Sequence, residues 1–319
     1  MSEPVLQVRD LTVYYYTLKG IVHAVEEANL TAYKGELIAL VGESGSGKST
    51  LGYALLKLVP PPGRIVKGKV LINGIDVLAL KGEDLRKVRG SLVSMVFQDP
   101  FTTLDPVRKV GDQILEVLVE HGINVEEGRE RVKEVLEAVG LPARLANAYP
   151  HQLSGGQRQR VSIAAAVALN PKVLVADEPT TALDVIVQKQ IMDLLDEIRN
   201  KTGMVIVLIT HDIALAAERA DRIAVMYAGN IVEYAPKDKI LENPLHPYTQ
   251  ALLKSVPDVE SREWPKPIPG IPPDLRKPPS GCRFHPRCSM RMETCNKRPP
   301  RMIMIEKDHY VSCWLYTKK

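Results

Sequence analysis

The sequence predicts an α/β fold: a buried, mostly parallel sheet with helices between its strands, an inserted helical subdomain, and a small cysteine-rich C-terminal module. Three observations carry this expectation. Short runs such as VLVA at 173–176 and VIVLI at 205–209 are β-branched and almost wholly apolar, as strands buried on both faces must be. Segments with apolar residues at three- and four-residue intervals lie between such runs. A glycine-rich stretch directly follows one strand-like segment and precedes a helical one.

Taken in chain order, residues 6–14, 37–41, 69–72 and 94–97 read as strands ahead of the two runs already named. Residues 112–120, 125–139, 157–168 and 187–200 carry the helical period, with turn residues at their ends. Between about 99 and 168 the chain offers helix and no convincing strand, so this piece reads as a helical subdomain inserted into the sheet domain. After residue 256 the texture changes. Ten of the 24 prolines fall from Trp264 onward, nine of them in WPKPIPGIPPDLRKPPS and RPPR, which cannot form regular helix. The expected division is therefore a sheet domain over 1–256 and a proline-rich linker with a C-terminal module over 257–319.

With 319 residues and 45% hydrophobic content, the chain has ample material for one large core. Its formal charge is +4, too mild to make nucleic acid a main partner. From Trp264 onward there are 12 Lys and Arg against 4 Asp and Glu, so the tail carries about +8 by count and the body is slightly acidic. The opening MSEPVLQVRD lacks a signal-peptide pattern, and no stretch approaches the roughly 20 apolar residues that span a bilayer. A cytoplasmic location is expected. The four cysteines, Cys282, Cys288, Cys295 and Cys313, fall in the last 38 residues, and in a reducing compartment such clustering favours metal over disulfides.

Residues 40–50, LVGESGSGKST, fit the spacing of a phosphate-binding P-loop. Gly42, Gly45 and Gly47 let the backbone curl until N–H groups and a helix start face phosphate oxygens, with Ser44 and Thr50 in the same loop. Lys48 supplies a positive charge near the β- and γ-phosphates, and Ser49 a hydroxyl for Mg²⁺. KVLVADEP at 172–179 ends a buried strand in two carboxylates: Asp177 to hold Mg²⁺ through its water shell, Glu178 to orient or deprotonate the attacking water. A P-loop followed by such a pair points to a P-loop NTPase that hydrolyses its nucleotide.

The sequence LSGGQRQR at 153–160 resembles the signature of the ABC ATPases, and Ser154, Gly155, Gly156 and Gln157 stand at its helix start. In that family the signature meets the γ-phosphate of ATP held by a second subunit, so the resemblance implies a head-to-tail dimer around two ATP molecules. Other positions match in turn: Gln98 in VFQDP resembles the Q-loop glutamine that senses Mg²⁺ and γ-phosphate, Asp184 in TALD the D-loop aspartate, and His211 in LITHD the switch histidine. Tyr15, in the run Tyr14–Tyr15–Tyr16, aligns with the adenine-stacking aromatic. Strand alternation sends Tyr14 and Tyr16 to the other face, where they are expected to cover core.

DRIAVMYAGNIVE, ENPLHPYTQALLKSVP and GCRFHPRC look like the ATP-binding subunits of oligopeptide and dipeptide importers over essentially the whole chain. TALD and TTLDP depart slightly from the usual SALD and SLNP without removing a catalytic group. The resemblance implies ATP hydrolysis coupled to solute import on the cytoplasmic face of the membrane. It also implies as partners a second ATPase subunit, identical or homologous, two membrane permease subunits and an extracytoplasmic solute-binding protein. Peptides are the expected solute, with oligosaccharides an alternative because no residue here touches it. A soluble ABC ATPase acting on nucleic acid or ribosomes is disfavoured by the single ATPase domain. The cysteine spacings lack close C-x-x-C knuckles and decide neither for zinc nor for iron. The importer tail is similar to an iron–sulfur module, which favours a [4Fe-4S] cluster over Zn²⁺.

Overall fold

The computed structural model describes residues 3–255 and 267–317. Trp264 and the start of the proline-rich stretch therefore lie outside the described residues. In chain order the strands are β1 (Leu6–Thr17), β2 (Gly20–Ala32), β3 (Leu37–Val41), β4 (Gly63–Ile72), β5 (Ile75–Asp76), β6 (Val93–Val96), β7 (Val173–Asp177), β8 (Val205–Thr210), β9 (Arg222–Tyr227), β10 (Asn230–Pro236), β11 (Ile303–Glu306) and β12 (His309–Val311). The helices are α1 (Lys48–Leu55), α2 (Gly82–Ser91), α3 (Pro100–Thr103), α4 (Val110–Val119), α5 (Val125–Ala138), α6 (Gly155–Val167), α7 (Val185–Thr202), α8 (Ile213–Arg219), α9 (Lys237–Glu242) and α10 (Pro247–Lys254). Two compact units contain them, and the chain passes from the first to the second inside β8.

The first unit comprises Met1–Leu6, Tyr33–Gly35 and Ile72–Val207. β6 and β7 run parallel in it, Val93 opposite Val173 through Val96 opposite Ala176. Every residue of both strands is buried, which explains why apolar residues dominate them, with Ser94 in β6 and Asp177 at the end of β7 the polar exceptions. From 99 to 168 the described residues form helices and two 3₁₀ turns but no strand, as the sequence predicts. Val110, Ile114 and Leu118 of α4 and Val132, Val135 and Leu136 of α5 repeat at three or four residues and are all buried, so the two helices share a core. α6 begins at Gly155, two residues before the predicted start, because Ser154 caps it and both signature glycines fall in the first turn. α7 stops at Gly203, whose φ of 70° suits the left-handed C-terminal turn.

Gln7–Ala32, Glu36–Leu71 and Leu208–Lys319 make up the second unit. Its main sheet runs in the order β11-β12-β10-β9-β3-β8, and β2-β1-β4 form a smaller sheet. β3 is buried throughout and parallel to β9, with Ile38 opposite Arg222. β10 returns antiparallel to β9 and then pairs with β12, Glu233 opposite Val311. Residues near the C-terminus thus complete the same sheet that launches the phosphate-binding loop. β1 extends to Thr17 and β4 begins at Gly63, both longer than the sequence suggests.

Candidate functional site

The phosphate-binding loop leaves the buried strand β3 and turns into α1. Gly42 and Gly47 hold φ of 155° and 103°. A Cβ on Gly42 would stand 2.0 Å from the Met226 carbonyl oxygen, and one on Gly47 2.1 Å from that of Ala24, so both positions demand glycine. Gly47 also occupies the N-cap of α1 without any side-chain cap, which leaves the helix start open to an anion. Lys48 is buried, and its Nζ donates to the carbonyl oxygens of Gly42 at 2.8 Å and Glu43 at 3.0 Å. Ser46 Oγ is buried without a hydrogen bond. The loop is thus shaped for phosphate: glycines at the close approaches, an open helix start, a lysine lying along the loop and an unused buried hydroxyl.

Tyr15 lies beside this loop, its hydroxyl 3.4 Å from Thr50 Oγ1. The expectation for its neighbours is corrected. Tyr14 is only partly buried and donates to Glu26 Oε1 at 2.7 Å, while Tyr16 is exposed with the Arg64 guanidinium over its ring. Neither is a core residue: Tyr14 is held between Glu26 and the His23 ring, and Tyr16 stands in solvent against Arg64. His211 is exposed at the end of β8, immediately before Asp212, whose carboxylate caps α8 by accepting from the N–H groups of Ala214 and Leu215.

The acidic pair lies in the first unit. Asp177 ends β7 fully buried. Glu178 follows with φ of 44°, a left-handed conformation that turns its carboxylate out of the strand direction. Its Oε2 accepts from Gln98 Nε2 at 2.9 Å and from Thr181 Oγ1 at 3.1 Å. Gln98, 80 residues away in sequence, is thereby brought onto the same carboxylate. Thr181 was not a sequence candidate; its place in EPTTALD, one turn beyond Glu178, is the signal that would have found it.

Ser154 Oγ accepts from Gln157 N–H at 3.3 Å and Gln157 Oε1 from Ser154 N–H at 3.0 Å, a reciprocal cap that fixes the signature at the start of α6. A Cβ on Gly156 would meet Val187 at 2.7 Å, whereas one on Gly155 would only touch Leu183 at 3.4 Å. Asp184 caps α7 by accepting from Val187 N–H at 3.0 Å. Signature and D-loop are therefore packed together, and the next two residues, Val185 and Ile186, are 80% and 72% exposed.

Toward the C-terminus, Cys282, Cys288, Cys295 and Cys313 line one small cavity with Phe284, Met290 and Trp314 among its walls. None is in a disulfide. Burial pushes the Cys282 thiol up to about 12 and the Cys313 thiol up to about 11, and raises Cys288 as well. Among the described residues no three His, Cys, Asp or Glu side chains are placed to hold a metal ion. The thiols converge on a shared space, not on one point.

The fold and the motif geometry define an ABC-type ATPase. The ABC transporter family matches residues 25–181, and the C-terminal region of oligopeptide/dipeptide transporters matches 232–295. The oligopeptide transport ATP-binding protein OppD of Bacillus subtilis is 47% identical over 97% of this chain and 88% of its own length. The dipeptide transport ATP-binding protein DppD of Caldanaerobacter subterraneus is 44% identical over 98% and 97%. Among solved structures, the dimeric ATP-binding cassette MJ0796 bound to ADP and Pi shares 33% identity at a TM-score of 0.63, covering 73% of this chain and 98% of that one. The chain belongs to the ABC transporter ATP-binding subunits of the oligopeptide/dipeptide importer family, and it is an ATP-hydrolysing transporter subunit.

Proposed function

We propose that this chain powers the import of dipeptides and oligopeptides by hydrolysing Mg-ATP at the cytoplasmic face of a membrane. The observation that carries the reading is that every catalytic group is intact while the C-terminal region matches peptide importers. In this reading backbone N–H groups of the loop from Gly42 onward, except that of Glu43, which Tyr248 takes, join Ser44, Gly45 and Thr50 in holding the phosphates, Lys48 neutralises them and Tyr15 stacks on adenine. Ser49, Gln98 and Asp177 position Mg²⁺. Glu178 orients the attacking water as general base, and His211 contacts the γ-phosphate. The hydrogen bonds of Glu178 to Gln98 and Thr181 support it, since they fix the carboxylate that must aim the water.

A second ATPase subunit presents ATP to Ser154, Gly155, Gly156 and Gln157, with Asp184 crossing to it. Val185 and Ile186 support this, as adjacent exposed apolar residues beside the D-loop suit burial against another subunit. No helix among the described residues is long and apolar enough to cross a membrane, so translocation falls to two permease partners and solute capture to a binding protein.

The C-terminal module, 257–319, holds a [4Fe-4S] cluster through Cys282, Cys288, Cys295 and Cys313 in this reading. The thiols of Cys282, Cys288 and Cys313, raised by burial, resist ionising on their own, and a cationic centre would offset that cost. Sulfurs on a single zinc would crowd within about 4 Å of each other, given Zn–S bonds near 2.3 Å; sulfurs lining a shared cavity suit a larger group. The cluster would supply a staple for a segment rich in proline. Purification of the complex with its permeases, followed by peptide-dependent ATPase assay, tests the import reading. An oligosaccharide in place of peptide as stimulant would change the solute and keep the motor.

A further inference from the structure

Arg287, the residue before Cys288, sends its side chain into the phosphate-binding loop. It is only 4% exposed. Nη1 and Nη2 donate to the two carboxylate oxygens of Glu43 at 2.7 and 3.0 Å. Nη1 also reaches the Tyr227 hydroxyl at 3.3 Å, Nε the Pro269 carbonyl at 2.8 Å and Nη2 the Ile268 carbonyl at 3.3 Å, so the guanidinium fork is fully used. Glu43 follows Gly42 directly in the loop. Its N–H donates to the Tyr248 hydroxyl at 2.9 Å, and its carbonyl accepts from Lys48 Nζ. Tyr248, Tyr227 and Phe284 pack ring against ring beneath these contacts.

A carboxylate inside a loop that must accept a polyphosphate is an electrostatic liability. Unpaired, it would repel the ligand; paired by a two-pronged arginine, its charge is cancelled and its backbone is fixed. We propose that Arg287 is a positioning residue for ATP, neutralising Glu43 and holding the phosphate-binding loop in shape from the cysteine-bearing segment. The proposal rests on the reading that residues 42–50 bind the phosphates of ATP. It makes ATP affinity depend on a side chain more than 230 residues downstream of the loop, within the C-terminal region.

The experiment measures Mg-ATP affinity by titration calorimetry on the full chain, with thermal melting alongside. Arg287→Gln should weaken ATP on the order of tenfold. Glu43→Gln alone should bind as well as wild type or better. Adding Glu43→Gln to Arg287→Gln should restore affinity to within about threefold of wild type, a rescue that lost packing cannot produce. Wild-type binding by Arg287→Gln, or a double variant as weak as the single, overturns the proposal. If Arg287→Gln does not fold, weaker binding by Glu43→Gln alone overturns it equally. Lys48→Ala separates the two levels: should it keep full affinity, the phosphate-site reading itself falls, whereas loss there with none at Arg287 defeats only the inference.

Discussion

At the scale of single residues, Glu178 and Gly47 carry the sharpest consequences. Glu178→Gln keeps the hydrogen bonds to Gln98 and Thr181 within reach but removes the base, so ATP binding should survive while turnover falls on the order of 10²-fold or more. A single-turnover assay checks this, and near-wild-type hydrolysis would remove Glu178 from its role. Gly47→Ala meets the Ala24 carbonyl head on and must take a left-handed φ, so nucleotide binding should be lost with it. The loop residues were legible because glycine, lysine and serine at fixed spacing have one plausible chemistry. Glu43 was not. Its meaning comes from Arg287, 244 residues away, and no local pattern connects the two.

Among elements, the start of α6 gives the clearest expectation. Gly155 has room for a side chain where Gly156 has none, so Gly155→Asp should fold and bind nucleotide as an isolated chain. It should nevertheless abolish steady-state ATPase activity, because the new carboxylate repels phosphate presented to that helix start. Equal loss of binding by the isolated chain would place the signature in its own nucleotide site. α10 offers a pH test. His246 caps it by accepting from Tyr248 N–H at Nδ1, which requires an unprotonated nitrogen, and burial holds the imidazole down at about 4. An unfolded histidine near 6.5 takes up a proton that the folded one refuses, so stability is intact above that value and falls as pH drops from about 6.5 toward 4. His246→Asn, which can still accept from the same N–H, should flatten that slope in melting curves recorded across the window.

Helices over 110–139 and strands β3, β6, β7 and β8 were legible because full burial leaves a clear helical period or a mostly apolar run. β2 was not, since Glu26, Glu27 and Asn29 interrupt its apolar residues and Glu27 sits at φ of 46°, breaking the alternation. β11 and β12 escaped for another reason. They are four and three residues long, and only pairing makes them strands, β12 with β10 and β11 with β12.

For the molecule as a whole, the C-terminal region poses one question of composition and the motor another. Residues beyond 267 contain few large buried side chains, Phe284 chief among them, so a cluster would contribute folding free energy that the segment cannot raise alone. Anaerobically purified protein should contain about four irons per chain with a broad absorption near ~400 nm, and Cys288→Ser should lose both and leave the tail open to protease. Stoichiometric zinc would replace the cluster; a protected tail without metal would remove the staple. Peptide as solute was legible only through resemblance, because no residue of an energy-coupling subunit meets the solute. The most direct measurement of the central claim is therefore ATP hydrolysis by this chain, co-purified with its permeases and reconstituted in lipid vesicles, with and without a peptide-loaded binding protein. The account predicts hydrolysis that rises with loaded binding protein, is coupled to peptide uptake, and disappears with Glu178→Gln. Hydrolysis indifferent to the binding protein and without uptake would contradict it.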